Sequence, residues 1–554
     1  MGGRDHPPAG RRDTGPAPCL PSAGGDHPPD GRRDTGPPPC LPSVASHDRD
    51  GGGYRVRVHP RLPERLAMCV VAAVLTVLNL LLKLPCTDTA PSVLPRDAVV
   101  SRFGCFSDVE FLWDVRQLAS HVFPYVTGSD IGNGTVEYPT LTGVWIWLTA
   151  LPVDTARGFL VVTAAVAVVI VVVVTLLLAR IAGRRAWIWA ATPPLALYAV
   201  SNWDLLPVVC TVVGLVAVVR PPARWSTTTR YAVAGLAFGL GGAFKLYPLM
   251  FLAPLAIAAL LDRDVALAAR VKRTVAALGS GIGVVLAANV PFALINLDGW
   301  LSVFRFQAGR PISPSTMSIW FYGLMPWSMA PEGSFQTLMG TLSTVTTAIG
   351  ILAVLVVTVV LALRRGTTPW IESAAALLAV YMVCNKVASP QYVLWLLPFF
   401  VVVRIGGWWV AAYLVADICA FVGFFRNTFY IAVGIGTSTW ANQAMAVGIW
   451  GRAALLVAFA VVFFRVGSVA TDRPGARPVA DGTPGAPEAR GGHGAPGASG
   501  ASGVSGASGA SGASGASGAS GAHGASDHAA DGVPVGVSGR AAGDRDDDAT
   551  VHPA

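Results

Sequence analysis

Between residues 66 and 466 the chain alternates long apolar runs with short polar breaks. The runs lie near 66–85, 158–179, 186–200, 205–219, 231–247, 248–261, 275–297, 337–363, 369–384, 391–403, 408–425 and 447–464. Apolar stretches on this scale cross bilayers as helices, because hydrocarbon offers the backbone no other hydrogen-bond partner. The pattern therefore predicts an all-α fold, a polytopic membrane helical bundle of about twelve transmembrane helices. Several runs are short, but Pro and Gly at their ends bring adjoining turns into the bilayer. A thirteenth candidate, "YPTLTGVWIWLTALP" at 138–152, has too few residues between its prolines for a crossing of roughly 20 residues. It is expected to lie in, or dip into, the outer interface.

Charge favours the same threading. With twelve crossings and the N-terminus inside, the cytoplasmic segments hold Arg55, Arg57, Arg61, Arg65, the "RIAGRR" stretch at 180–185, Arg220, Arg224 and Arg230. They also hold Arg263, Arg270, Lys272, Arg273, Arg364, Arg365, Arg404 and Arg465. That satisfies the positive-inside rule loop after loop. Counting 138–152 as a crossing would invert every later loop. On the outer side fall Asp97, Asp108, Glu110, Asp114, Asp130, Glu137, Asp154, Asp204, Asp298 and Glu332, with Lys245, Arg305, Arg310, Lys386 and Gln391. Residues from six or more distant segments thus meet one face of the membrane.

The first outer loop is the most informative. "CFSDVEFLWDVRQLASHVFPY" (105–125), drawn as a helix, has an apolar stripe of Phe111, Val115, Leu118 and Val122. Its polar stripe is Glu110, Asp114, Gln117 and His121, the pattern of a helix lying at a membrane surface. Asp108 breaks the pattern by heading the apolar stripe. Ser107 and Glu110 fit a capping box, which gives Glu110 a structural role. Asp108 would be the first helical residue, where it could serve only to compensate the helix dipole. A carboxylate aimed into a partly buried pocket is also a general-base candidate.

Other outer segments add candidates. In "VEYPTLTG" (136–143), Glu137 and Tyr138 precede the helix-starting Pro139; Glu137 marks the interface or binds sugar hydroxyls. "SNWDLLPVV" (201–209) puts Asp204 at the mouth of two apolar runs, paired with Lys245 for structure or held for function. "AFKLYPLMF" (243–251) places Lys245 at the outer end of a Gly-rich helix, where it suits a phosphate. Arg305, Arg310, Ser318, Trp320 and Tyr322 in the outer loop near 300–322 suit phosphate and sugar faces, although interfacial aromatics are also ordinary membrane belts. "NKVASPQYVLWLLP" (385–398) offers Lys386 and Gln391 for polar contacts. Asp417, in the middle of a run, is expected to pair with a neighbouring helix.

Composition changes the picture at the ends. The chain has 554 residues, 53% hydrophobic and only 13% charged, where soluble domains carry roughly 25% charged residues. Residues 1–65 contain a near-exact tandem repeat (5–22 and 26–43), and 467–554 are rich in Gly, Ala and Ser. Both are expected to be disordered tails without chemistry. The net charge of +8 fits basic cytoplasmic loops and anionic lipid, and no stretch interleaves basic and aromatic residues as a nucleic-acid surface would. Cys86 and Cys105 flank one loop, and a disulfide is open to them if that loop is outside the cell. Walker, HExxH and GxSxG motifs are missing, and no metal or cofactor is expected.

In order, "FSDVEFLWDVRQLASHVFPY", "VEYPTLTG", "NWDLLPV", "KLYPLMF", "SIWFYG" and "SPQYVLWLLP" resemble the pattern of glycosyltransferase family 87. The resemblance covers roughly residues 66–466, and follows less closely at 305–316. It implies a GT-C-like fold with juxtamembrane helices in a large first outer loop, and a catalytic acid early in that loop, matched by Asp108. It also implies a mannosyltransferase-like enzyme using a polyprenyl-phosphate sugar donor and a glycolipid or glycan acceptor. The expectation is hexose transfer with inversion at the plasma membrane, with both termini cytoplasmic and the active site extracytoplasmic. Asp108 would be the base, and Lys245 with an arginine of 305–310 would hold the leaving phosphate. A lipid-linked substrate transporter or flippase is the rival reading. Such proteins often carry internal repeats with matching broken helices, and the two halves here show none.

Overall fold

The computed structural model describes residues 60–87, 96–132, 134–323, 333–437 and 439–469. Nearly all of both tails lies outside them, as do Glu332 and the side chain of Asp97. Among the described residues regular structure is helical, with only two isolated β-bridges. In chain order the helices are α1 (Leu62–Lys83), then α2 (Arg96–Phe103), α3 (Asp108–Val115) and α4 (Thr140–Ala150) in the first long loop. There follow α5 (Ala156–Ala182), α6 (Trp187–Ala190), α7 (Pro193–Tyr198), α8 (Leu205–Val219), α9 (Thr227–Phe244) and α10 (Leu252–Leu260). The second half holds α11 (Leu267–Ile295), α12 (Leu297–Gly309), α13 (Ile319–Tyr322), α14 (Ser334–Arg365), α15 (Trp370–Cys384), α16 (Val393–Val402), α17 (Gly407–Ala432) and α18 (Trp440–Val466).

Every one of the twelve apolar runs is helical. Six long helical segments suffice by length and composition to cross a membrane; they contain α1, α5, α11, α14, α17 and α18. The others are shorter or broken for visible reasons. Pro193 and Pro194 end α6 and restart the chain as α7, since a proline lacks the N–H an ongoing helix needs. At α9, Gly235 and Gly239 face Ala277 and Gly281 of α11 so closely that a Cβ on either would collide with backbone. Small residues four apart let the two helices cross in near backbone contact. Gly423 and Gly448 do the same for α17 and α18. The α4 segment is 11 residues, about 16 Å at 1.5 Å per residue, half a crossing. It packs on α9 and α11, with Thr142 donating to the carbonyl of Phe244 at 2.6 Å.

The bundle has two unlike ends. At one, the C-terminal parts of α1, α7, α9, α11, α15 and α17 converge on a single cavity with the starts of α3, α4 and α16. These C-terminal ends belong to the first, third, fifth, seventh, ninth and eleventh runs, as strict alternation through twelve crossings requires. The other end gathers arginines. Arg185 donates to the carbonyls of Phe400, Val401, Val403 and Ile405, closing the C-terminus of α16. Arg180 donates to the carbonyl of Arg220, and Arg184 pairs with Glu64 at 2.7 Å.

The first outer loop departs from its periodicity. The expected amphipathic helix through Val122 stops at Val115: Gln117, His121 and Tyr125 all take positive φ. What packs inward is Val109, Leu112 and Trp113, with Leu118 of the expected apolar stripe beyond the helix; Glu110 of the expected polar stripe is also buried, while Val115 is exposed. The chain is held in this turn by its surroundings. Arg116 grips Glu137 (2.9 and 3.3 Å), Trp147 donates to the carbonyl of His121 at 2.9 Å, and Tyr125 Oη donates to the carbonyl of Tyr138 at 2.9 Å. A Cys86–Cys105 disulfide ties the loop's start to the segment before α3.

Candidate functional site

The cavity encloses about 660 Å³. Asp108 reaches it from the first turn of α3. Ser107 caps that turn, its Oγ accepting from the backbone N–H of Val109 at 3.2 Å and donating to the carbonyl of Val200 at 2.8 Å. The N–H of Asp108 donates to the carbonyl of Ser201 at 2.9 Å. The start of α3 is thus stitched to the turn between α7 and α8. Behind it, Lys83 is almost fully buried at the end of α1, donating to the carbonyls of Gly104 (3.2 Å) and Phe106 (2.7 Å).

The carboxylate of Asp108 is half-buried and, among the described residues, engaged through Oδ2 only. Its Oδ2 accepts from Tyr138 Oη at 2.8 Å and from Asn202 Nδ2 at 2.5 Å. Burial pushes its pKa above the ordinary carboxylate value; the Tyr138 hydrogen bond, Lys245 and Arg310 oppose this, while Glu137 adds to it. Burial and the neighbouring Asp108 and Glu137 carboxylates hold the Tyr138 phenol well above its usual range, so it stays protonated as a donor.

Lys245, the residue closing α9, stands on the other side of Tyr138, its Nζ 5.9 Å from that ring's centroid. It is also 5.3 Å from Tyr392 and 5.0 Å from Trp395, three aromatic faces around one ammonium. Asp204 Oδ1 accepts from Lys245 Nζ at 2.5 Å and from Trp395 Nε1 at 2.8 Å. Asp204 Oδ2 is buried and has no hydrogen-bond partner among the described residues. Asp204 itself lies behind the cavity wall, so it positions Lys245 and touches nothing in the cavity.

The remaining expected residues divide. Arg310, Gln391, Glu137 and Tyr138 line the cavity. Glu137 is already neutralised by Arg116, and its carbonyl accepts from Gln307 at 2.8 Å. Lys386 joins the rim, donating to the carbonyls of Ala308 and Arg310; burial and the Arg310 charge press its pKa down. Arg305, Trp320 and Tyr322 are not brought to the cavity. Arg305 points outward from α12 and pairs with Asp298 at 2.7 Å, Trp320 donates to the carbonyl of Cys384 at 2.8 Å, and Tyr322 to that of Pro314 at 3.1 Å. Asn202 and Lys83 went unnoticed in the sequence. Asn202 adjoins the singled-out Asp204 but reads as an ordinary turn residue, and Lys83 as a helix-end lysine. Their one signal is a polar side chain at the outer end of an apolar run.

The cavity's chemistry is a half-free carboxylate and a caged ammonium bridged by one phenol, with Arg310 and Lys386 nearby. Apolar walls flank it: Phe421, Phe424 and Phe425 beside α2, and Leu246, Leu286 and Phe304 along α11 and α12. The last three are exposed as well.

Compared with protein-family models and with curated proteins, the sequence matches none, so the family 87 resemblance rests on the quoted motifs. Among solved structures, the chain is similar to ArnT from Cupriavidus metallidurans bound to undecaprenyl phosphate. That match has 14% identity over 72% of this chain and 76% of that one, with a TM-score of 0.36. It is also similar to the Archaeoglobus fulgidus oligosaccharyltransferase in the apo form. There the identity is 13% over 72% of this chain and 56% of that one, with a TM-score of 0.30. At these scores neither likeness bears on chemistry.

Proposed function

We propose that the chain is a GT-C-type membrane glycosyltransferase that moves a hexose, by resemblance mannose, from a polyprenyl-phosphate donor to a glycolipid or glycan acceptor. The observation that carries this reading is that Asp108 and Lys245 meet in one largely apolar-walled cavity, bridged by Tyr138. Asp108 takes the proton as the acceptor oxygen attacks the anomeric carbon. The bond from that carbon to the phosphate oxygen breaks with its electron pair leaving on the phosphate, and the configuration inverts. Lys245 and Arg310 stabilise the released charge, commonly the larger catalytic contribution. The polyprenyl tail lies along the apolar wall that includes Leu246, Leu286 and Phe304. Burial raises the basicity of Asp108, which suits a proton acceptor. The arginine-rich end of the bundle, read by the positive-inside rule, is cytoplasmic and the cavity extracytoplasmic. A disulfide in the first loop agrees with an oxidising compartment.

The test is sugar transfer by the purified full-length chain in lipid, offered mannosyl or arabinosyl polyprenyl phosphate with membrane glycolipid acceptors. Wild type should form product, and Asp108→Asn at matched expression should lose 10²-fold or more in rate, on the order expected for a general base. Full transfer by Asp108→Asn would overturn the assignment of the base. Movement of intact donor across the bilayer without bond exchange would make the chain a flippase.

A further inference from the structure

The turn between α7 and α8 addresses both reacting ends of the cavity through three consecutive residues. Asp204 holds Lys245, Trp203 packs edge-on against Tyr138 with centroids 5.3 Å apart, and Asn202 reaches Asp108. The Asn202 amide has only one orientation open to it. Its Oδ1 accepts from the backbone N–H of Trp203 at 2.6 Å, so its amino group must face the carboxylate. The two amino protons have separate targets, Asp108 Oδ2 at 2.5 Å and Tyr138 Oη at 2.6 Å. The phenol, accepting from Asn202, gives its one proton to the same Oδ2 at 2.8 Å. Three hydrogen bonds close a ring that uses every donor in it and occupies Oδ2 twice. Among the described residues Oδ1 of Asp108 has no hydrogen bond, and Asp108 lines the cavity.

We propose that Asn202 is a positioning residue for the base: it locks Oδ2 of Asp108 to the Tyr138 hydroxyl so that Oδ1 alone meets the acceptor hydroxyl. This rests on the glycosyltransferase reading for its catalytic consequence, but the ring itself can be tested without substrate. Its two donors favour the ionised carboxylate. Removing either therefore raises the pH at which Asp108 takes up a proton. The charged or titratable groups facing Asp108 are Lys83 from α1, Glu137 and Tyr138 before α4, Lys245 at the end of α9, Arg310 after α12, and Tyr392 before α16. Of these only Tyr138 bonds to Asn202, and it belongs to the ring, so the shift in Asn202→Ala reports the ring.

The experiment is an infrared titration of the protonated-carboxyl band in the full chain in lipid nanodiscs, with the Asp108 band assigned by its loss in Asp108→Asn. Asn202→Ala and Tyr138→Phe should each move the band's midpoint to higher pH. Asn202→Asp, which replaces a donor with a second carboxylate, should move it furthest. In the transfer assay the acid limb of the rate should move with the band. Turnover of Asn202→Ala should fall about 10- to 100-fold, at the lower end of a general-base contribution, with donor KM nearly unchanged. Tyr138→Phe keeps the ring that packs on Trp203, so it folds even if Asn202→Ala does not. Unmoved midpoints in the variants that fold overturn the proposal whatever the enzyme does. Moved midpoints with full activity in Asp108→Asn leave the ring standing and sink the catalytic reading instead.

Discussion

Two acid–cation pairs among the described residues, Asp417–Arg452 and Asp204–Lys245, are built differently. Asp417 of α17 meets Arg452 of α18 at 3.2 Å through Oδ1, while its Oδ2 accepts from Tyr198 at 2.9 Å. Both carboxylate oxygens are engaged, and both side chains are closed in, at 1% and 7% exposure. Asp204 and Lys245 share a shorter contact, but the lysine keeps 17% exposure and one Asp204 oxygen has no hydrogen bond. The first pair ties helices together with nothing left over. The second is left incomplete beside a large cavity, with the cation leaning into it. Buried polar groups are ordinarily satisfied, and exceptions gather where function constrains the site.

The contrast can be broken by removing one partner at a time. Arg452→Met strands Asp417 in the bundle and should cost about 3–5 kcal/mol, seen as loss of folded protein on heating in detergent. Adding Asp417→Leu should recover most of it. At the other pair the losses should be lopsided. Lys245→Met strands the buried Asp204 and should cost on a similar scale. Asp204→Asn, which leaves Lys245 facing the cavity, should cost only about 1–2 kcal/mol. Equal costs for these two would mean that Asp204–Lys245 is a second structural tie. Polyprenyl phosphate should raise the unfolding temperature of wild type and of the repaired 417/452 double variant, and not that of Lys245→Met.

Acid should act at the cavity end. On the proposed reading Asp108 works ionised, and its pKa is raised by burial, so turnover should fall on acidification at a pH above that of an ordinary carboxylate. A pH–rate profile with no limb above that range removes Asp108 as the base. The smallest effect belongs to a third pair at the surface. Arg305 and Asp298 are 56% and 64% exposed, and Arg305→Ala should change stability by at most about 1 kcal/mol and leave the rate within twofold.

Much of this fold was legible because hydrocarbon enforces it. Each apolar run became a helix, and the parity of the runs brought Asp108, Asp204, Lys245 and Gln391 to one end. The site was less legible wherever tertiary contacts outvoted local periodicity. Residues 117–122 carry a helical pattern but turn away, because Arg116 and His121 find partners in Glu137 and Trp147. In the 305–322 loop, aromatic and basic composition did not distinguish Arg310, which lines the cavity, from Arg305, Trp320 and Tyr322, which do not. Composition says which side chains could bind a phosphate; only the direction in which each leaves its helix says which ones can reach it.

The Asn202–Trp203–Asp204 turn works as a ruler. Asp108 and Lys245 are each hydrogen-bonded to one of two residues two apart, so their spacing is referred to a single turn as well as to how two helices slide. A single-residue insertion there would leave all twelve apolar runs intact and throw both groups out of alignment together. The same chain lengthened by one residue in the loop between α10 and α11, at the far end, should scarcely notice.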